Sequence, residues 1–254
     1  MHHAQFIEVT ADAASAFATL LGSADLATPA PSCPGWSLAE LAEHLGGVHR
    51  WARAQLLGSG QQVERLAPEA PLDDRDALLA WFREGAAELV ATLRELPEAA
   101  PCWALYPPAR ASTWAKRQAL ETTLHLWDAT DSLGIAVPIP ATIAAVGVAE
   151  VAHDMYPRQV SLGRMPSLDE RVDLELRGLD ASTPSPVRLG PIGEVAAGGS
   201  WATETTTPAD ATLELTAEDA LLLLWKRREL TTVDARLTGS AAALERVLAH
   251  PLAP

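Results

Sequence analysis

The stretch Trp114-Ala-Lys-Arg-Gln-Ala-Leu-Glu-Thr-Thr-Leu-His-Leu-Trp-Asp-Ala-Thr-Asp131 decides how the rest of the chain is read. Leu120, Leu124 and Trp127 recur at helical spacing, which predicts an amphipathic helix over residues 116–133. Ser112 and Thr113 stand where a cap is expected, and Gly134 stands where a helix end favours a left-handed residue. Glu121 and His125 are four apart, so both side chains leave the same face on adjacent turns. Arg117 and Asp128 extend that face at either end. A carboxylate and an imidazole so placed can share a metal ion, but two ligands do not make a tight site. A third must come from elsewhere in the chain.

Upstream, three further helices are expected. Phe6, Val9, Ala13, Phe17, Leu20 and Leu21 carry helical spacing over residues 6–21. Pro29-Ala-Pro-Ser-Cys-Pro-Gly-Trp36 cannot be helical, because its prolines remove donors and lock φ. Ser37 with Glu40 three residues on forms a capping-box pattern and opens a second helix, residues 38–57. Its stripe is Leu41, Leu45, Val48 and Ala52. His44 lies beside that stripe, whereas His49 lies well round the helix from it. A polar loop is expected over residues 58–71. Asp73 or Asp74 then caps a third helix, residues 75–96, which Pro97 ends. The loop over residues 101–108 brings Cys102, Trp103 and Tyr106, read as packing. Four such helices predict an antiparallel bundle with ligands facing inward from separate helices.

Val137-Pro-Ile-Pro140 marks a boundary, giving a bundle over residues 1–136 and a smaller α+β domain over residues 137–254. A fifth helix is expected over residues 141–155, carrying Glu150, His153 and Asp154 as a second polar cluster without an evident partner. After Pro157, Val172-Asp-Leu-Glu-Leu-Arg, Val187-Arg-Leu and Ala211-Thr-Leu-Glu-Leu-Thr alternate like half-buried strands between Gly/Pro/Thr-rich turns. An apolar helix over residues 218–226, a short strand over residues 235–239 and a Ser240-capped helix over residues 241–249 close the chain.

Composition narrows the function. The 254 residues carry a formal net charge of −14 with 48% hydrophobic content, so a sizeable core is expected. A phosphate-tracking groove needs a basic patch, and the one cluster of cations is Lys226-Arg227-Arg228. Nucleic acid and anionic membrane are therefore poor partners. The N-terminus lacks a positive region followed by an apolar run, and no apolar stretch approaches the ~20 residues of a membrane span. A cytoplasmic location is expected. Cys33 and Cys102 are expected as free thiols, with Cys33 packed in its loop.

Pro31-Ser-Cys-Pro-Gly-Trp-Ser37, Glu40-Leu-Ala-Glu-His-Leu-Gly-Gly-Val-His-Arg-Trp-Ala52, Arg117-Gln-Ala-Leu-Glu-Thr-Thr-Leu-His-Leu-Trp-Asp-Ala129 and Leu221-Leu-Leu-Leu-Trp-Lys-Arg227, in this order, resemble the mycothiol-dependent maleylpyruvate isomerase family of actinobacteria, within the DinB-like four-helix metalloenzymes. The resemblance implies a zinc ion held by His44, Glu121 and His125, and mycothiol as the thiol cofactor. It implies that a metal-activated thiolate meets a small electrophile, in cis–trans isomerisation or in S-transfer. Nickel, iron or manganese also suit a His/His/Glu set. Asp128 is the candidate acceptor for a ligand histidine, and Arg227 the candidate clamp for a substrate carboxylate. Two positions depart from the pattern: Leu126 stands where relatives often have Arg, and Lys226 where they often have Gly. A non-catalytic module binding a metal or small ligand, and a thiol-independent metal hydrolase, are the competing readings. The sequence assigns neither the natural substrate nor the oligomeric state.

Overall fold

A computed structural model describes residues 1–58, 60–64, 69–179, 185–193 and 207–254. The polar loop expected over residues 58–71, and the turns between the strands, fall partly outside these residues. The chain divides into two compact units, Met1–Ile139 and Pro140–Pro254.

The first unit holds four long helices: α1 (His3–Ser23), α2 (Leu38–Leu57), α3 (Arg75–Glu95) and α4 (Ala111–Ser132). Each forms where apolar residues recur at helical spacing. Phe17, Leu21, Leu38, Leu41, Leu45, Leu78 and Phe82 meet in one shared core. α1 packs on α3 and α4, and α2 packs on the same two helices. This pairing places α2 beside α4, and it depends on long connections over residues 24–37 and 96–110 rather than tight hairpins. Where α2 meets α3 the backbones come close. A Cβ on Gly46 would lie 2.3 Å from the Trp81 ring. The Arg50 guanidinium caps that ring at 4.0 Å and donates to the Trp81 carbonyl at 2.6 Å.

Two helix ends differ from the sequence expectation. α4 begins at Ala111, with Arg110 at the cap and no side-chain cap bond, so Ser112 and Thr113 lie inside its first turn. Thr113 instead donates to the Pro108 carbonyl. The C-terminal end agrees with the reading: Gly134 has φ +67°, and Ile135 donates back to the Thr130 carbonyl at 2.9 Å.

In the second unit α5 (Ala141–Glu150) passes into a π turn (Val151–Met155) and then into α6 (Tyr156–Ser161). The helix therefore continues through Pro157 rather than stopping before it. A proline inside a helix has no N–H and collides with the carbonyl four residues back. The wider turn just upstream gives that carbonyl room. A four-stranded sheet follows, in the order β2-β1-β3-β4, from β1 (Val172–Arg177), β2 (Val187–Leu189), β3 (Ala211–Thr216) and β4 (Arg236–Gly239). β1 and β3 are parallel, while the outer pairs are antiparallel. Val172, Leu174 and Leu176 on β1, and Ala211, Leu213 and Leu215 on β3, bury one face, as their alternation requires. α7 (Ala217–Leu224) packs on α5, and α8 (Ala241–Ala249) is capped by Ser240, whose side chain accepts from Ala243 N.

Candidate metal centre

α2 is fixed at its start by a complete capping box. Ser37 N donates to Glu40 Oε2 at 2.6 Å, and Glu40 N donates to Ser37 Oγ at 3.4 Å. The loop ahead of it is pinned by a bridge between Pro29 and Ser37, and Ala30 N donates to the Trp36 carbonyl at 2.8 Å. Gly35 sits at φ +88°, a conformation that suits glycine. The loop then does two things. It lays the Trp36 ring 4.6 Å from the His44 ring, and it sends the Cys33 thiol to Asp128 Oδ2 at 3.4 Å.

The predicted face of α4 is buried rather than solvated. Arg117, His125 and Asp128 are 3%, 6% and 0% exposed, so the ordinary solvated Glu/His pair is not what this helix carries. His44 Nε2 lies 3.3 Å from Glu121 Oε1, and His125 Nε2 lies 3.4 Å from the same oxygen. The two imidazole rings are 5.0 Å apart and nearly perpendicular, and each sets its Nε2 beside that one oxygen. Arg117 forms a close ion pair with the other oxygen, Glu121 Oε2. His125 Nδ1 stands 2.9 Å from Asp128 Oδ2. In a neutral imidazole with Nδ1–H directed at that carboxylate, Nε2 is the donor atom left toward Glu121.

These distances suit an ion. Zinc binds imidazole nitrogen and carboxylate oxygen at about 2.0–2.2 Å, so two such donors at a tetrahedral angle stand about 3.3–3.4 Å apart. The two donor edges to Glu121 have that length, and the side of the set toward His44, whose side chain is 24% exposed, is the open one. Burial by itself would raise the Glu121 carboxyl, yet the Arg117 guanidinium and the bonds from His125 and His44 hold it well below the usual carboxylate range. Burial would likewise lower His125, but Asp128, Cys33 and Glu121 raise it well above the ordinary imidazole value. The site thus keeps the Glu121 carboxylate charged in a nearly dry place, with the Arg117 guanidinium as the counter-ion on Oε2 and Oε1 turned to the two histidines.

His49 is separate. It is fully buried, with Nε2 3.0 Å from Thr122 Oγ1, and burial pushes its pKa down to about 3. It is a neutral core histidine and joins no ligand set among the described residues. Glu150, His153 and Asp154 likewise assemble no such set there. Arg227 lies in the second unit beyond α7, donating to the Trp225 carbonyl at 2.9 Å. Lys226 before it has φ +61°. That explains why a glycine is at home in this position.

Two more residues stand at the site without a role there that the sequence assigns. Cys33 is a packed loop thiol, as expected, and its Sγ also reaches Asp128, 95 positions away. Trp36 belongs to the same rigid loop. The one available signal was their closeness to the start of the helix that bears His44.

Comparison with known proteins follows the same outline. Residues 8–130 match the family model of the mycothiol maleylpyruvate isomerase N-terminal domain. Two solved structures share the fold over 92% of this chain and 93% of theirs, each at 15% identity. One is a mycothiol-dependent maleylpyruvate isomerase, with a TM-score of 0.60, and the other is a histidine-to-alanine mutant of a mycothiol-dependent maleylpyruvate isomerase, at 0.63. The fold is thus α+β with a DinB-like helical bundle at its N-terminal end. No curated protein matches the chain in sequence.

Proposed function

We propose that this chain, whose residues 8–130 match the family model of the mycothiol maleylpyruvate isomerase N-terminal domain, is a metal-dependent isomerase that uses mycothiol to turn a small cis enone acid into its trans form. One observation carries the reading: two helices bring His44 Nε2, Glu121 Oε1 and His125 Nε2 to within the span of one ion. Isomerisation is preferred to S-transfer because both similar structures are of isomerases.

His44, Glu121 and His125 would hold the ion, with zinc the first candidate. When bound, zinc acidifies a coordinated thiol, and the thiol supplies reversible addition to an electrophilic double bond, which frees that bond to turn. The chain's own residues set up this chemistry. Arg117 occupies Glu121 Oε2, so Oε1 alone is offered inward. Asp128 fixes the tautomer of His125. Trp36 packs its ring against His44 and steadies that imidazole at the open side of the set.

The test is metal content by mass spectrometry, beside turnover of maleylpyruvate with mycothiol. The expected result is about one zinc per chain, lost in Glu121→Ala, and turnover abolished by chelation. Metal-free protein that still turns over would overturn the reading. Bound metal with activity that needs no thiol would favour a hydrolase using metal-bound water.

A further inference from the structure

The described residues contain two sets able to hold a metal, and the function proposed above uses one of them. The second comprises Cys33, Asp128 and His125, all buried, with their ligand atoms within 4.8 Å of one another. Its edges are Cys33 Sγ to Asp128 Oδ2 at 3.4 Å and His125 Nδ1 to Asp128 Oδ2 at 2.9 Å. We infer that Cys33 Sγ, Asp128 Oδ2 and His125 Nδ1 form a second metal position, selective for soft, thiophilic divalent ions of the cadmium class.

Three physical arguments support it. The first is size. With sulfur about 2.3 Å and nitrogen or oxygen about 2.0–2.2 Å from a zinc-sized ion, a sulfur–oxygen edge at a tetrahedral angle is about 3.5–3.7 Å and a nitrogen–oxygen edge about 3.3–3.6 Å. The Sγ–Oδ2 edge, 3.4 Å, is within a few tenths of an ångström of that length, and the Nδ1–Oδ2 edge, 2.9 Å, opens by about half an ångström when an ion replaces the bridging proton. The second is charge. A thiolate and the Asp128 carboxylate together neutralise a divalent ion, which a site 0% exposed at Asp128 requires. The third is softness. The first set offers nitrogen and oxygen only, whereas sulfur selects ions that the first set holds less well. Cys102 is the contrast. It is 2% exposed, burial raises its thiol pKa, and no metal-holding group among the described residues includes it.

Proton balance gives the site a consequence. As the ion enters, Cys33 gives its S–H proton to solvent. The imidazole keeps one proton, now on Nε2, and any second imidazole proton also leaves. An Nε2–H cannot serve the set with His44 and Glu121. The two positions therefore compete for one imidazole, and a soft ion at Cys33 dismantles the first site. This competition rests on the metal reading above; the existence of the second position does not.

The test uses the full chain, stripped of metal by chelation, with Cd²⁺ as the probe. Alkylation of each cysteine is followed by mass spectrometry, beside the ultraviolet charge-transfer absorption of a cadmium–thiolate bond. At a Cd²⁺ concentration about ten times its dissociation constant, Cys33 alkylation slows about tenfold while Cys102 is unchanged. The thiolate band appears in the wild type, persists in His44→Ala and is absent in Cys33→Ser. Equal protection of both cysteines, or a band that vanishes in His44→Ala, overturns the inference. The wild-type protection measurement stands even where a variant fails to fold. A chain that shows the band yet takes up no zinc through His44 and Glu121 would refute the proposed function and leave the second position intact.

Discussion

Replacing Asp128 by Asn tests whether the buried carboxylate does more than fill space. Asp128 is 0% exposed, and its Oδ2 faces both His125 Nδ1 at 2.9 Å and Cys33 Sγ at 3.4 Å. Asn keeps the volume and still offers one oxygen to the imidazole, so the fold and the tautomer survive. What goes is the charge. A hydrogen bond to a charged group contributes about 1.5–3 kcal/mol, against about 0.5–1.5 for a neutral pair, so the loss at His125 is about 1–1.5 kcal/mol. A ligated imidazole is more positive than a free one, and the difference grows when metal is bound. The expected result is zinc affinity about 10–100-fold weaker, or about 1.4–2.7 kcal/mol. Competition against a chromophoric chelator at neutral pH measures it, with circular dichroism as the fold control and exposed Asp131→Asn as the helix control. A dissociation constant within about threefold of wild type for Asp128→Asn would refute the reasoning, since outer partners of ligand histidines act above that level.

Three further outcomes test the fold around the site. Gly46→Ala gains about 1 kcal/mol of helix propensity but puts a methyl 2.3 Å from a Trp81 ring held by Arg50. Overpacking of about 1–3 kcal/mol wins, so the urea midpoint falls; an unchanged or higher midpoint would show that Trp81 moves freely. Lys226→Gly relieves about 1–2 kcal/mol of left-handed strain at φ +61° and gives back about 0.5–1 through the looser unfolded chain. A net gain of about 0.5–1 kcal/mol in urea unfolding is expected, and a loss would mean the lysine side chain holds the turn. His49, with its folded pKa lowered to about 3 from 6.5, binds a proton more readily unfolded than folded. Its contribution is therefore complete above pH 6.5 and is lost as pH falls toward 3, about 2 kcal/mol of it by pH 5. His49→Gln should flatten the wild-type acid slope by that amount, whereas parallel slopes would deny that His49 is buried neutral.

Much of this was legible because helices announce themselves locally. The capping box at Ser37 and Glu40, the Asp74 cap and the Ser240 cap need only residues three apart, and each stands where the spacing put it. The same holds for Glu121 and His125, since four residues on a helix fix a shared face. The local signal fails where tertiary packing overrides it. Thr113 is a good capping residue, but the chain turns earlier and its hydroxyl serves the Pro108 carbonyl. Pro157 is a good helix breaker, but a wider turn absorbs it.

The third ligand shows where local reading stops. His44 is 77 residues from Glu121, and nothing in the spacing of α2 says that α2 lies beside α4 rather than across the bundle from it. Resemblance supplied the pairing, and the packing order of the helices supplies its cause. Cys33 had no such help. Its neighbours Pro31, Pro34 and Gly35 advertise a rigid loop, and rigidity is what lets one short segment set its thiol against Asp128 and its Trp36 ring against His44. The loop thus braces both histidines of the candidate site from outside the two helices that carry them. A bundle of separate helices holds ligand geometry only as well as its helices hold register, so a brace common to α2 and α4 is what keeps a two-helix metal site within tenths of an ångström. Variants that loosen the loop should accordingly weaken metal affinity without touching a ligand.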